Sequence, residues 1–311
     1  LLDLYSFFPY PSFLQIPPFN PVMIMQLAVN GLIDGLFFAL MGLGFSIILE
    51  GMDLFNFAHG AFYMVGGYIT YLVIKNVTPN PIIAIMFSII IAFIFGYVVD
   101  LLMLRPIRRR GGEGWALAGL IGLLSLSVVL ENLAILVFGA EYKGVPPYVR
   151  GNVVIGGVII DLQRAVSALI AVMLILLIYL FFKKTKYGRA MRALAQNKEL
   201  AEMSGVSPGI MYPMIFGLGV CLAAAAGSLL SPLYYVSPTI GAFPGLMAFI
   251  VVIVSGLGSI GGLILTGILF GIINSFTAFF YSSEWGYLIA FTIAIMVITF
   301  RPKGLFGVRR E

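Results

Sequence analysis

The sequence predicts an all-α polytopic membrane protein: a helix bundle with about eight to nine membrane segments, at least one of them broken. Three observations carry this. Of 311 residues, 61% are hydrophobic and 10% charged, with a mean hydropathy of +1.07; soluble domains carry about 25% charged residues. The apolar residues form long runs, and roughly 20 in a row suffice to cross a bilayer. Fourteen of the eighteen Lys and Arg residues fall in three short runs between those stretches, Arg105 to Arg110, Lys183 to Lys198 and Arg301 to Arg310. Basic clusters beside span ends mark the cytoplasmic side of a membrane protein.

Residues 1–20 are aromatic, with prolines at 9, 11, 17 and 18. They cannot form one continuous spanning helix, and they lack the basic start of a signal peptide. An interfacial segment is expected there, followed by one transmembrane domain over residues 21–311.

Candidate spans are Val22 to Leu49, Leu54 to Ile74, Ile82 to Leu104, Trp115 to Phe138, Ile159 to Phe182, Ile210 to Leu230, Phe243 to Leu257, Ile260 to Tyr281 and Tyr287 to Phe300. The seventh is short and ends in Gly256-Leu257-Gly258-Ser259, so it is either a half-helix or a kinked crossing. If it crosses, parity puts all three basic runs on one side and residue 20 on the other. One long outer loop, Gly139 to Asp161, either caps the mouth, meets a soluble partner, or simply connects.

Ionisable groups at membrane depth are functional candidates: Asp34, Glu50, Asp53, His59, Asp100 and Glu131. Asp100 precedes Arg105 by about one turn and reads as an interfacial partner for the basic run. Asn30 reads as a helix cap ahead of Asp34. The segment Asp53 to Gly60 interrupts two apolar runs, and irregular backbone at depth is tolerated only inside protein or beside water. There Asn56 is expected to cap the next helix, with Asn56, His59 and Gly60 on a substrate pathway or, alternatively, in a structural kink. Many of the 36 glycines, among them Gly42, Gly44, Gly217, Gly219, Gly227 and Gly256 to Gly262, suit close helix packing.

Enzymatic chemistry finds no support. There is one histidine, no metal-ligand spacing, no Gly-x-Ser-x-Gly elbow and no Gly-Lys dipeptide for a phosphate loop. The basic residues flank spans, so they do not mark nucleic acid. The single Cys221 forms no disulfide within the chain.

The loop 183–207 predicts a helix ended by Gly205, with Met191, Leu194, Ala195 and Ala201 near one face and Ser207-Pro208 starting the next span. Such an apolar stripe suits insertion into a groove of a cytoplasmic partner or attachment to the lipid surface.

Several motifs together resemble the membrane subunits of branched-chain amino acid ABC importers, the Liv-type permeases. They are Asn56-Phe57-Ala58-His59-Gly60 with Tyr63-Met64-Val65-Gly66, Arg105-Pro106, Tyr187-Gly188-Arg189-Ala190-Met191-Arg192-Ala193, Gly256-Leu257-Gly258-Ser259-Ile260-Gly261-Gly262, and Pro302-Lys303-Gly304-Leu305-Phe306-Gly307. The resemblance runs from about Asn30 to the C-terminus. It departs at Ala195-Gln196-Asn197, where relatives often carry an acidic residue. It implies a multi-part importer in the cytoplasmic membrane: a second homologous permease, two cytoplasmic ATPases that hold ATP and Mg, and an external solute-binding protein. The loop helix would then be the cytoplasmic coupling helix, with Gly188, Arg189, Met191, Arg192, Leu194, Ala195, Glu199, Ala201 and Gly205 meeting an ATPase. The substrate would be a branched-chain amino acid or a related small solute, moved by alternating access. An ion-coupled secondary transporter is the alternative.

Overall fold

The computed structural model describes residues 20–307; the interfacial segment expected at residues 1–20 lies, but for Asn20, outside them. Each candidate span contains a helix. Helix α1 (Pro21–Met52) starts where Asn20 accepts from Val22 N at 3.0 Å and Pro21 occupies the first turn. Asn30 is therefore not a cap, as expected from the sequence, but a mid-helix residue that accepts from Gln26. With 32 residues, α1 is about 48 Å long. It ends at Asp53, whose φ of 52° is left-handed. Residues 54–56 form no regular structure, and a turn through Phe57 and Ala58 leads into α2 (His59–Asn76).

Asn80 caps α3 (Pro81–Val99), which passes through a π-helical turn, Asp100–Leu104, into α4 (Arg105–Arg110). Helix α5 (Trp115–Phe138) leads to a hairpin of β1 (Asn152–Ile155) and β2 (Val158–Asp161), paired Asn152 to Asp161 and closed by Gly156 and Gly157. Both glycines have positive φ, 59° and 88°, as a tight hairpin turn requires. The fifth span thus starts later than the sequence suggested: residues 159–161 are strand, and α6 (Leu162–Lys184) begins after Asp161 caps Gln163 N at 2.7 Å.

The loop helix is two helices, not one. Thr185 caps α7 (Lys186–Gln196); the chain then breaks at Asn197, whose side chain caps α8 (Lys198–Met203). Helices α9 (Pro208–Leu230), α10 (Ala242–Ser255), α11 (Ile260–Phe280) and α12 (Ser283–Phe300) follow. Ser207 stands at the cap position of α9 but its side chain makes no capping bond.

The bundle has two ends, and the long helices run alternately between them. At one end Gln26 bonds Ile159 O at 2.8 Å, Lys143 pairs with Val236, and Tyr148 OH donates to Ser228 O at 2.8 Å. At the other, Glu50 accepts from Gly258 N at 3.0 Å, Lys183 and Arg192 share a cavity, and Arg108 faces Lys198 and Tyr212. Among the described residues all three basic runs therefore meet at one end.

Helices α1 and α9 form the centre and are mostly buried. The α1–α11 crossing is backbone to backbone: a Cβ on Gly31 would sit 2.5 Å from Ile272 Cα, and one on Gly35 2.5 Å from Ile268 Cα. Opposite them stand Gly267 and Gly271. Ser88 Oγ and Ser228 Oγ lie 2.7 Å apart, both 3.2 Å from Gly66 O, tying α2, α3 and α9. The outer helices point large apolar residues away from the protein, among them Ile90, Leu117, Leu136, Leu169 and Met296. Such faces need lipid or a partner as their solvent. Pro81–Arg110 and helices α1, α5, α6, α9 and α11 are long and apolar enough to cross a membrane; α10 and the apolar part of α12 are shorter.

Candidate functional site

Asn56, His59 and Gly60 are buried in the packed centre. Asn56 does not cap α2; its Oδ1 accepts from Ala58 N at 3.1 Å in a turn just before the helix. His59 Nε2 lies 3.0 Å from Met41 O, which puts the start of α2 well up the length of α1. A carbonyl only accepts, so Nε2 carries the proton and Nδ1 is an acceptor. That Nδ1 and Asn56 Nδ2 are buried without partners. The His59 ring stands edge-on to Phe45, with centroids 5.5 Å apart. Gly60 abuts Gly241, and a Cβ on either would strike the other's carbonyl. Residues 236–241 run from Val236, at the hairpin end, to that contact, where α10 begins. None of the three residues lines a cavity described below, so this interruption is a packed joint between α2 and α10 in this conformation.

A cavity of about 610 Å³ opens toward the hairpin end. Helix α1 contributes Asn30, Asp34, Phe37 and Phe38; α6 contributes Arg164, and α11 contributes Asn274. Tyr63, Tyr234, Phe243 and Tyr287 complete its aromatic side. Arg164 Nη2 lies 3.8 Å from Asp34 Oδ1 and donates to Tyr234 OH at 3.1 Å. These two charged side chains are 20% and 25% exposed, within reach of a ligand yet largely out of water. Asn274 Oδ1 is buried with no hydrogen-bond partner. The ring of Phe243 meets Phe38 edge-on at 5.7 Å and Tyr287 at 4.4 Å. In the loop between α5 and α6, burial pushes the Tyr148 phenol up to about 12, so it stays a neutral donor to Ser228 O.

At the basic end, Asp100 is fully buried and held by Arg108 of the basic run at 2.7 and 2.8 Å, the pairing expected from the sequence. Arg108 also stacks over Tyr212 at 4.6 Å. A second cavity, about 460 Å³, lies between Ser46 and Glu50 of α1, Lys183, Arg192 and Gly258. Glu50 also accepts from Ser46 Oγ. The C-terminal Pro302 to Gly307 segment clamps the α10–α11 turn: Leu305 N bonds Val254 O at 2.9 Å and Phe306 N bonds Ser255 O at 2.8 Å. Asp53 is exposed at its turn and Glu131 is half-buried.

The apolar stripe of the loop faces inward. Met191, Leu194 and Ala201 are buried against this chain's own bundle, which corrects the expectation that they insert into a partner. Gly188 is buried against α6, where a Cβ would strike Phe181 O. Ala195 lines the second cavity, and Gly205 is an exposed turn with φ 84°. What faces outward is Arg189, Arg192, Glu199, Leu200 and Met203, the last two 61% and 85% exposed.

Sequence reasoning missed Arg164, Tyr234 and Asn274. The signal available for Arg164 was its position as a basic residue outside all three runs and inside an apolar stretch. It also missed Gly31, Gly35, Gly267 and Gly271, whose four-residue spacing is the mark of a close helix crossing.

A family model described as "Branched-chain amino acid transport system / permease component" matches residues 27–299. The permease protein BraD of a high-affinity branched-chain amino acid transport system in Pseudomonas aeruginosa is 31% identical over 297 residues, covering 91% of this chain and 95% of the relative. LivH of Escherichia coli, described in the same terms, is 28% identical with the same coverage. A probable branched-chain amino acid transport permease, LivH of Methanocaldococcus jannaschii, is 26% identical over 86% of this chain and 88% of its own length. No solved structure matches the chain.

Proposed function

The chain belongs to the family of branched-chain amino acid transport system permease components, and from that premise we propose that it is the membrane subunit of an ABC importer for branched-chain amino acids or a related small solute. It is a transport subunit and not an enzyme. The observation that carries this reading is the relationship to BraD, which extends over nine-tenths of both chains.

In this reading α1, α2, α3, α5, α6 and α9 to α12 cross the membrane, the shorter α10 and α12 included, with the hairpin end outside and the basic end in the cytoplasm, as the inside excess of Lys and Arg favours. An external binding protein delivers substrate to the hairpin end. A second homologous permease covers apolar faces that lipid does not. Two cytoplasmic ATPases, holding ATP and Mg, meet the outward face of α7–α8 through Leu200, Met203, Glu199, Arg189 and Arg192. The apolar stripe on the other face fixes the pair to α1 and α9, so a push on α8 reaches the central helices without slack. The pathway opens to one side at a time.

Co-expression with a permease, ATPases and binding protein of the same system tests this. The expected result is a stable complex whose vesicles take up leucine only when ATP is supplied on the basic-loop side. Uptake by this chain alone, driven by an ion gradient, would replace the reading with a secondary transporter.

A further inference from the structure

We propose that Asp34 and Arg164 form a recognition site for the zwitterionic head group of an amino acid, with its apolar side chain against Phe37, Phe38 and Phe243. The proposal rests on the transport reading above and names the site that selects the substrate within the membrane.

The ion pair is open. At 3.8 Å it is far looser than the 2.7 and 2.8 Å contacts between Arg108 and Asp100 in the same molecule. Charge-assisted hydrogen bonds to carboxylates ordinarily close to about 2.7–2.9 Å. Arg164 instead spends its close contact on the Tyr234 hydroxyl. Among the described residues Asp34 makes no other hydrogen bond or ion pair, which leaves lone pairs available to a cavity of about 610 Å³, within the usual range for small-molecule sites of roughly 300–1,000 Å³. The gap is where an α-ammonium could meet Asp34 while an α-carboxylate takes the guanidinium fork, which suits a planar anion. Asn274, whose buried Oδ1 has no partner, stands on the same wall.

Charge balance supplies the selectivity. One carboxylate and one guanidinium make the cavity neutral, and a zwitterion keeps it so. A carboxylic acid without the amine, or an amine without the carboxylate, would leave a buried charge unpaired, the costly case. Apart from Asn30, Asn274 and Ser275 the rest of the wall is aromatic or aliphatic, including Leu27, and offers a branched side chain mainly apolar contacts.

The test uses the assembled permease–ATPase complex, without its binding protein, titrated with radiolabelled leucine. Saturable binding is expected, displaced by unlabelled leucine but not by about a hundredfold excess of 4-methylpentanoate or 3-methylbutylamine, because each analogue orphans one charge. Asp34→Asn and Arg164→Gln should each weaken binding at least ~10-fold, the order expected for one charged hydrogen bond. The double variant, which orphans no charge, should remain equally weak while basal ATP hydrolysis shows that the complex is assembled. Wild-type binding by the double variant would assign the pair a structural role and overturn the site. So would competition by either analogue as strong as leucine's, or no saturable binding in a complex that hydrolyses ATP. If the wild-type complex, with its binding protein restored, moves no amino acid at all, the transport reading falls and takes the site with it. If it moves leucine and the variants bind as the wild type does, the site alone falls.

Discussion

Arg108 closes onto both carboxylate oxygens of Asp100, at 2.7 and 2.8 Å, across eight residues and a π-helical turn. Asp100 has no exposure, and the Arg108 side chain has 13%. Removing the cation leaves a buried carboxylate without its partner. Arg108→Ala should therefore destabilise the purified protein by about 3–5 kcal/mol. Asp100→Asn combined with Arg108→Ala should recover a good part of that loss. Thermal unfolding in detergent of the two variants measures the difference; equal melting temperatures would mean the pair contributes nothing.

The α1–α11 crossing has no room for side chains. A Cβ on Gly31 would lie 2.5 Å from Ile272 Cα and 2.9 Å from Gly271 O. Backbone cannot give way as a flexible side chain can, so the helices must part. Gly31→Ala should cost about 1–3 kcal/mol, the usual range for overpacking, and lower the melting temperature. Gly261→Ala, where a Cβ meets nothing within 4 Å, is the control that should leave the melting temperature in place.

On the two loop helices, opposite faces should fail differently. Met191→Glu puts an unpaired charge into the chain's own core and should reduce folded yield. Met203→Glu alters a side chain that is 85% exposed and should leave yield within the roughly ±0.5 kcal/mol expected of surface changes, while weakening co-purification of the ATPase. Gly188→Trp is no test of docking, because it would collide with the end of α6 before any partner is met. Full ATPase recovery with Met203→Glu and Leu200→Glu together would move the docking face elsewhere.

His59 is packed, hydrogen-bonded to Met41 O and absent from the lining of the cavities described. His59→Ala should lower stability by about 2–5 kcal/mol, as large-to-small core changes do, with KM for uptake unchanged in the protein that survives. A rise in KM with unaltered melting would restore this histidine to the pathway.

The spanning helices were legible because most are apolar runs bounded by Pro, Gly or Asn, signals that act within a few residues. Asn20-Pro21 and Asn80-Pro81 start helices where cap chemistry says they should. The basic runs were legible for the same reason, since charge beside a span is local. The Asp34–Arg164 pairing was not legible. It joins positions 130 residues apart, and nothing near either residue encodes the other. Direction was lost as well: Met191, Leu194 and Ala201 do form a stripe, but periodicity does not say whether a stripe meets its own bundle or a stranger. The break at Asn197 was hidden because the surrounding Ala, Leu, Lys and Glu are all good helix formers, and only the Asn side chain, capping Leu200 N at 3.0 Å, marks the restart.

At Gly60 and Gly241 the two interrupted helices begin against each other with bare main chain on both sides. A joint of that kind has no compliant padding to absorb a shift. Movement of α10 should therefore be handed directly to α2, as between meshed cogs. Spin labels on Lys75 of α2 and Ala242 of α10, both exposed, would report whether the two sides of that joint turn in step during the ATP cycle; independent motion would show that the cogs slip.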